Sequence, residues 1–289
     1  MIDVEAMDRS LRGLSVGDAF GQASFGQDIE ALLHNRVMPG DEWPWTDDTA
    51  QALVLSSHLL RQQGTIDLPT LALEFAKEYQ SNPLRGYGGT AHRVLRLTAA
   101  GEDWSRVSQD VFSGQGSMGN GAAMRVAPLG ALLWRDINQV IQEAGKSARP
   151  THANPEAAAG AIAVAVAAAL SAGTTLAGPE FLQEVADRTP ESETRSRLLR
   201  AASMEDGSSV RLAVFSLGNG SDMLTQHTVP FCIWAASRSL NSFPNAMWTT
   251  LSALGDRDTT CAIVGGIVGA RIGPDPALEA RREPLPDWR

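Results

Sequence analysis

The sequence predicts an all-α protein folded as one compact domain, and three observations carry that reading. Most segments repeat their apolar residues with helical period and few alternate like a half-buried strand. The most apolar run, "AAAGAIAVAVAAAL" from Ala157 to Leu170, is too short and alanine-rich to span a bilayer and reads as a buried helix. A chain of 289 residues that is 43% hydrophobic can bury a large core, and no regular repeat or linker divides it.

The elements follow in order. From about Asp8 to Phe20, Leu11, Leu14 and Ala19 share one side, and Gly13, Gly17 and Gly21 recur every fourth residue. Such a glycine ridge lowers helix propensity but lets another backbone come close. A helix is expected from Asp48 to about Arg61, ended by Gly64, and another from Asp67 to Tyr79. "NPLRGYGGTAHRVL" gives a Gly-rich turn from Asn82 to Gly89 and then a helix. "GQGSMGNGAAMRVAPLG" gives a loop and a further helix start. Ala157 to Leu170 and Thr259 to Ala270 read as core helices, and "DRTPESETRSRLLRAAS" as surface. The division expected is a domain over 1–273 and a proline-rich, charged tail over 274–289.

Composition narrows the function. With 33 acidic against 24 basic residues the formal charge is −9, which argues against bulk nucleic acid as a partner. Cys232 and Cys261 sit in apolar runs and read as small core residues, suited to a reducing cytoplasm. The opening "MIDVEAMDRSLRG" lacks the charged and apolar regions of a secretory signal, so a cytoplasmic location and no membrane are expected.

Two acidic clusters stand at helix starts. In "WPWTDDTAQAL", Thr46 can cap a helix while Asp47 and Asp48 complement its dipole. One acid would suffice for that, and the preceding Trp-Pro-Trp is apolar for an ordinary surface turn, so a metal or substrate site is the second reading. "GDRDTTCAIVGGIVGA" repeats the pattern: Asp256 and Asp258 lie two apart, and Thr259 follows where a small-residue helix begins. Four carboxylates brought together repel unless cations neutralise them, and an all-oxygen set selects Mg²⁺ or Mn²⁺. Two unrelated caps are the alternative.

The loop "GQGSMGNG" has four glycines in eight positions. Its backbone N–H groups could approach an anion, with the next helix turning its positive end to a phosphate. It is neither a P-loop nor a dinucleotide fingerprint, and a structural turn is the other reading. Arg125 reads as a solvent-facing cation or a member of a buried ion pair, His152 as a capping or core residue or a catalyst, and Tyr87 as a turn aromatic or a stacking platform.

Taken together these stretches resemble the ADP-ribosylglycohydrolase family. "GLSVGDAFG", "TDDT", "RGYGG", "GSMGNGAAMRVAPLG", "THANPEA" and "GDRDTTCAIVGGIVGA" occur in the family's order and span nearly the whole chain. The resemblance implies an all-α orthogonal helical bundle with two Mg²⁺ or Mn²⁺ ions at the base of an ADP-ribose cleft. It implies Thr46, Asp47 and Asp48 as one ligand set and Asp256, Asp258 and Thr259 as the other, with Asp256 or Asp258 also acting as general base. It places Gly116, Ser117, Met118, Gly119 and Asn120 around the diphosphate and neighbouring ribose, His152 at the substrate end, and Tyr87 and Gly88 beside the scissile ribose.

The implied reaction is metal-dependent hydrolysis at the anomeric carbon of an ADP-ribosylated protein or small molecule, releasing ADP-ribose. Serine-directed members of the family carry a mobile glutamate just beyond "GDA". Here "GQASFG", Gly21 to Gly26, holds no acid before Asp28 and Glu30. No aspartate lies between Asn82 and Thr90, where a ring-opening route of the bacterial branch would use one. The missing glutamate, together with the bacterial-type motif set, favours an N-linked arginine acceptor. The alternatives are a metal-dependent nucleotide phosphohydrolase, which would release phosphate, and a non-catalytic relative that binds ADP-ribose.

Overall fold

The computed structural model describes residues 1–40 and 42–288, and these hold seventeen helices and no strand. Their only sheet-like pairings are two isolated bridges, Trp43 with Arg282 and Gly119 with Leu224. The all-α expectation holds. The predicted segments appear as Val4–Ala23, Asp47–Arg61, Leu68–Ser81, Gly89–Ala99, Pro155–Gly173 and Arg257–Ile272.

Two helix packings organise the chain. Pro155–Gly173 lies at the centre, with the run from Ala159 to Ser171 buried throughout. Its length and hydropathy would allow a membrane span by composition alone, yet here it is enclosed by other helices. Alanine on every side permits that: Gly130 of the Ala127–Leu133 helix comes so close that a β-carbon there would meet the Ala165 carbonyl oxygen at 1.9 Å.

The second packing joins the two ends of the sequence. The predicted glycine ridge faces the Arg257–Ile272 helix, itself rich in small residues. A β-carbon on Gly13 would lie 2.4 Å from the Gly265 oxygen, one on Gly17 2.0 Å from that of Cys261, and one on Gly21 2.2 Å from that of Arg257. The contact is backbone against backbone. It sets the end of the first helix beside the start of the last long one, so that Asp18 and Asp258 become neighbours.

Trp43 and Trp45 are core residues. Trp43 meets Phe20 edge-on at 5.3 Å, and its indole N–H donates to the Pro39 carbonyl at 2.7 Å. Cys232 and Cys261 are buried free thiols.

Two expectations differ from what is observed. The helix after the glycine loop is a single turn, Gly121–Met124, followed after Arg125 and Val126 by Ala127–Leu133. Its four residues carry little macrodipole, so the anion reading rests on loop geometry alone. The expected division at residue 273 does not appear as a break. Arg12 pairs with Glu279, Arg85 grips Glu283 with both guanidinium nitrogens at 2.7 and 2.8 Å, and Trp288 packs on the core. Proline makes this tail irregular, while its aromatic and charged side chains fasten it down.

The helix contact yields a stability prediction. Gly17→Ala forces a β-carbon into a backbone carbonyl that no rotamer change can relieve, and overpacking of this kind costs about 1–3 kcal/mol or more. Thermal unfolding should show a large fall in Tm; a Tm within a degree or so of wild type would contradict the backbone contact.

Candidate active site

Asp18 is where the site begins. It is fully buried on the first helix, and its carboxylate accepts from the Thr46 amide at 2.9 Å, the Thr46 hydroxyl at 2.8 Å, the Thr49 amide at 3.1 Å and the Thr49 hydroxyl at 2.5 Å. Both threonines of "TDDT" are thus held from behind. Thr46 also caps its helix, its oxygen accepting from the Asp48 amide, and this leaves the Asp47 and Asp48 carboxylates free of capping duty.

The Asp47 amide donates to the Arg85 carbonyl at 2.7 Å, tying the helix start to the "RGYGG" turn. Arg85 is fixed in turn by Glu283 and by stacking 3.5 Å over Trp45. The Asp47 side chain accepts from Gln51 Nε2 at 3.1 Å.

The second cluster behaves differently. Asp256 stands at the cap position of the Arg257–Ile272 helix, but its side chain caps nothing. It accepts instead from Asn120 Nδ2 at 2.7 Å, which links the glycine loop to the acids. Asn120 Nδ2 also lies 3.2 Å from the Thr228 hydroxyl. Gly220, with φ +79°, passes close behind: a β-carbon there would come within 3.0 Å of Asp256 Cβ.

The two acidic clusters and the glycine loop border one cavity of about 610 Å³, with Asp18 behind them. Asp47, Asp48, Asp256, Asp258 and Thr259 form its acidic end, and Gly116, Ser117, Met118, Gly119, Asn120, Gly88 and His152 line it elsewhere. Residues far apart in sequence therefore meet. Thr46 lies just beneath, bound to Asp18. Tyr87 is set back from the cavity, edge-on to Tyr79 at 5.1 Å, with its hydroxyl buried and unpartnered. Burial and the nearby Asp47 push that phenol up, so it stays protonated.

Carboxylates this crowded and this dry resist ionising. Burial raises Asp18 to about 7, Asp47 to about 8 and Asp256 to about 7, and it raises Asp48 as well. Neighbouring acids add to the rise in Asp47, Asp48 and Asp256, while hydrogen bonds from Thr46 and Thr49 restrain Asp18. Asp48 Oδ1 and Asp258 Oδ1 are buried without a hydrogen-bond partner. Buried anionic oxygens of this kind call for a proton or a cation.

The donors are carboxylate and hydroxyl oxygens, the chemistry of a site for Mg²⁺ or Mn²⁺. Among the described residues no three His, Cys, Asp or Glu side chains are drawn together as a finished ligand set. The acids stand around the cavity instead of closing on one point. The donor types of the acidic end and the two orphaned oxygens fit a hard divalent cation.

Several residues at the site had no role assigned from sequence. Asp18 lay in plain view within "GDAFG", between two glycines of the ridge, but its importance depends on threonines 28 and 31 positions away. Arg125 turns out fully buried, and without a carboxylate among its hydrogen-bond partners it matches neither expected alternative. Phe112, Asp222 and Met223 border the cavity, with Phe112 and Met223 both exposed and both at positive φ. No local pattern marks them.

The all-helical bundle and its cavity, an acidic end joined to a glycine loop, agree with the family the sequence resembles. Residues 6–288 match ADP-ribosylglycohydrolase, and the chain belongs to that family. It is 32% identical to an uncharacterized protein of Archaeoglobus fulgidus, over 92% of this chain and 88% of that one. It is 29% identical to human ADP-ribosylhydrolase ARH3, over 93% and 86%. The solved structure of an ADP-ribosylglycohydrolase-related protein complex aligns with a TM-score of 0.56 at 25% identity, covering 93% of this chain and 89% of that one. The protein is accordingly a glycosidic-bond hydrolase that removes ADP-ribose from a modified substrate.

The raised carboxyls give a pH prediction. An acid whose folded pKa exceeds its unfolded value of about 4 stabilises fully below that value, and the contribution is lost as pH rises through the folded value. In chelator, Tm should fall from about pH 4 to about pH 8, because over that range the unfolded chain has lost protons that the folded acids still hold. A Tm that is flat or rises over that window would show that the acids are ionised at no cost.

Proposed function

We propose that this hydrolase depends on two divalent cations, Mg²⁺ or Mn²⁺, and that its preferred substrate carries ADP-ribose on an arginine nitrogen. The observation that carries the first half is the set of four carboxylates around one cavity, Asp47 and Asp48 buried and Asp256 and Asp258 half-buried, with an orphaned buried oxygen on Asp48 and on Asp258. Asp47 and Asp48 with Thr46, and Asp256 and Asp258 with Thr259, would hold the cations. When bound, these ions offset the carboxylate charge and polarise the ribose hydroxyls and a nearby water.

The remaining chemistry belongs to the chain. Gly116 to Asn120 cradle the diphosphate and the neighbouring ribose with close-approaching backbone, and Gly88 borders the scissile sugar. His152 faces the same cavity; burial and the charge of Arg125 push its pKa down to about 3, so it serves as a neutral hydrogen-bonding group. Cleavage breaks the bond between the anomeric carbon and the acceptor, building oxocarbenium character that the facing carboxylates stabilise. Water adds to that carbon, and Asp256 or Asp258 accepts its proton. ADP-ribose and the free acceptor leave.

The arginine half rests on which acids reach the cavity. Among the described residues its carboxylates are the four clustered aspartates and Asp222. Asp28 and Glu30 are exposed, and Asp28 caps the Ile29–Asn35 helix, so neither supplies an additional acid. A guanidinium nitrogen already carries positive charge, so its bond to the sugar can break without a dedicated acid, and the departing guanidine takes up a proton from solvent. Asp222, oriented by His227 at 2.5 Å, is placed to meet the planar donors of such an acceptor. The two buried free thiols support a reducing, cytoplasmic setting.

Two measurements test this reading. Asp258→Asn should remove turnover, at least about 100-fold, with the helical circular dichroism intact, because ligand charge sets affinity at a hard-ion site. Unchanged activity that still depends on added Mg²⁺ or Mn²⁺ would refute the role. In matched assays, arginine-linked ADP-ribosyl peptide should be cleaved faster than serine-linked peptide. The reverse order would sink the acceptor preference, and phosphate release from either would favour the phosphohydrolase alternative.

A further inference from the structure

Arg125 is the only arginine among the described residues that the fold buries completely. It sits one residue past the single helical turn that follows the glycine loop, with its guanidinium 4.3 Å over the Phe75 ring. A buried cation is costly, and the hydrogen bonds it makes go to neutral groups: Gln51 Oε1, the Ser147 carbonyl at 2.8 Å and the Thr151 hydroxyl at 2.9 Å. What these bonds accomplish lies one step further out.

Proton accounting along each arm leaves one arrangement. Arginine only donates. Gln51 Oε1 accepts from Arg125, so its amide nitrogen is the end that faces Asp47 Oδ2, at 3.1 Å. Thr151 Oγ1 also accepts from Arg125, and His152 Nδ1, at 2.7 Å, is the other partner of the hydroxyl among the described residues, so donation to Nδ1 is the arrangement that leaves no buried O–H unpaired. The neutral imidazole must then carry its hydrogen on Nε2. That nitrogen is on the cavity side: a β-carbon added at Gly119 would lie 3.4 Å from it, and one at Gly121 3.1 Å. The two arms leave one guanidinium and end on opposite walls of the cavity.

We propose that Arg125 is a positioning residue for ADP-ribose removal: through Gln51 it sets the Asp47 carboxylate, and through Thr151 it holds His152 as the tautomer that presents Nε2–H to the substrate. Neither arm touches the reacting atoms, so the effect is one of orientation. Burial together with the charge of Arg125 keeps His152 neutral, which makes the choice of tautomer consequential across the working pH range. The proposal rests on the cavity being the ADP-ribose site, but the tautomer is observable without substrate.

The experiment is ¹⁵N NMR of histidine-labelled protein, with the His152 signals assigned among the five histidines by their loss in His152→Gln. The wild type should show Nε2 protonated and Nδ1 free. Thr151→Val keeps the volume and removes the hydroxyl; it should disturb that tautomer and lower kcat by roughly 10-fold or more with little change in KM, the signature of lost orientation. Thr151→Ser should restore both. Arg125→Lys, which cannot fork to two partners, should give the same pair of changes; if it does not fold, the Thr151 pair carries the test. A wild-type Nδ1–H tautomer would overturn the proposal, as would a Thr151→Val enzyme that loses kcat with the tautomer unchanged. A His152 signal unmoved by saturating ADP-ribose would sink the cavity assignment and the proposal with it, whereas a wrong tautomer sinks the proposal alone.

Discussion

Gly13, Gly17 and Gly21 leave no room for side chains between the first helix and the last long one, and the site depends on that contact. With Gly21 against Arg257 and Asp258, the acidic start of one helix lies beside the end of the other, and Asp18 sits within the junction. Asp18 then reaches across to Thr46 and Thr49 and orients a third helix, whose first two residues are Asp47 and Asp48. Three segments spread over more than two hundred residues of sequence are thereby held in one place. A single β-carbon in the ridge would move all of them, because two backbones in contact have no flexible side chain between them to absorb the shift.

The same geometry concentrates negative charge where water is scarce. Four donors satisfy Asp18, so its burial is supported by hydrogen bonds. Asp48 and Asp258 keep an unpartnered oxygen each. The nearest fully buried cation, Arg125, is kept one residue away from Asp47 by the Gln51 amide. A direct arginine–aspartate pair would satisfy the carboxylate and remove its need for any other cation. The intervening glutamine lets Arg125 orient Asp47 while leaving one of its oxygens open toward the cavity.

Much of the fold was legible in the sequence because helices are local: period, glycine and cap residues gave five long helices within a few residues of their observed ends, while others such as Ile137–Ala148 and Thr225–Ser237 were not read. The glycine ridge was readable too, since fourfold spacing of glycine has few uses besides close approach. The acidic clusters were visible as patterns, but residue type and spacing left capping and ligation open, and it took the family resemblance to favour one. What stayed hidden was tertiary. Asp18 looked like any helical acid until its four donors were seen, and Arg125 could not be placed inside or outside by its neighbours in sequence. Tyr87 looked available in a glycine turn, yet Tyr79 and His92, packed around it, hold it behind the cavity wall. The tail read as irregular because proline breaks periodicity, while its anchoring comes from partners such as Arg12, Trp43 and Arg85 on distant segments.

Capping, read as one of two competing explanations of the acidic clusters, does not occupy their carboxylates. In the first cluster Thr46 takes the cap, accepting from the Asp48 amide, and the two aspartates that follow are relieved of it. In the second, Asp256 occupies the cap position and leaves it unused, because Asn120 claims its carboxylate from the glycine loop. An ordinary surface helix gains about 1 kcal/mol from a cap, and to place a capable residue there without using it forgoes that gain. The sacrifice makes sense only if the carboxylate is worth more facing the cavity. Asn120 also makes the acidic end and the glycine loop move together, so whatever the loop holds is kept in register with Asp256.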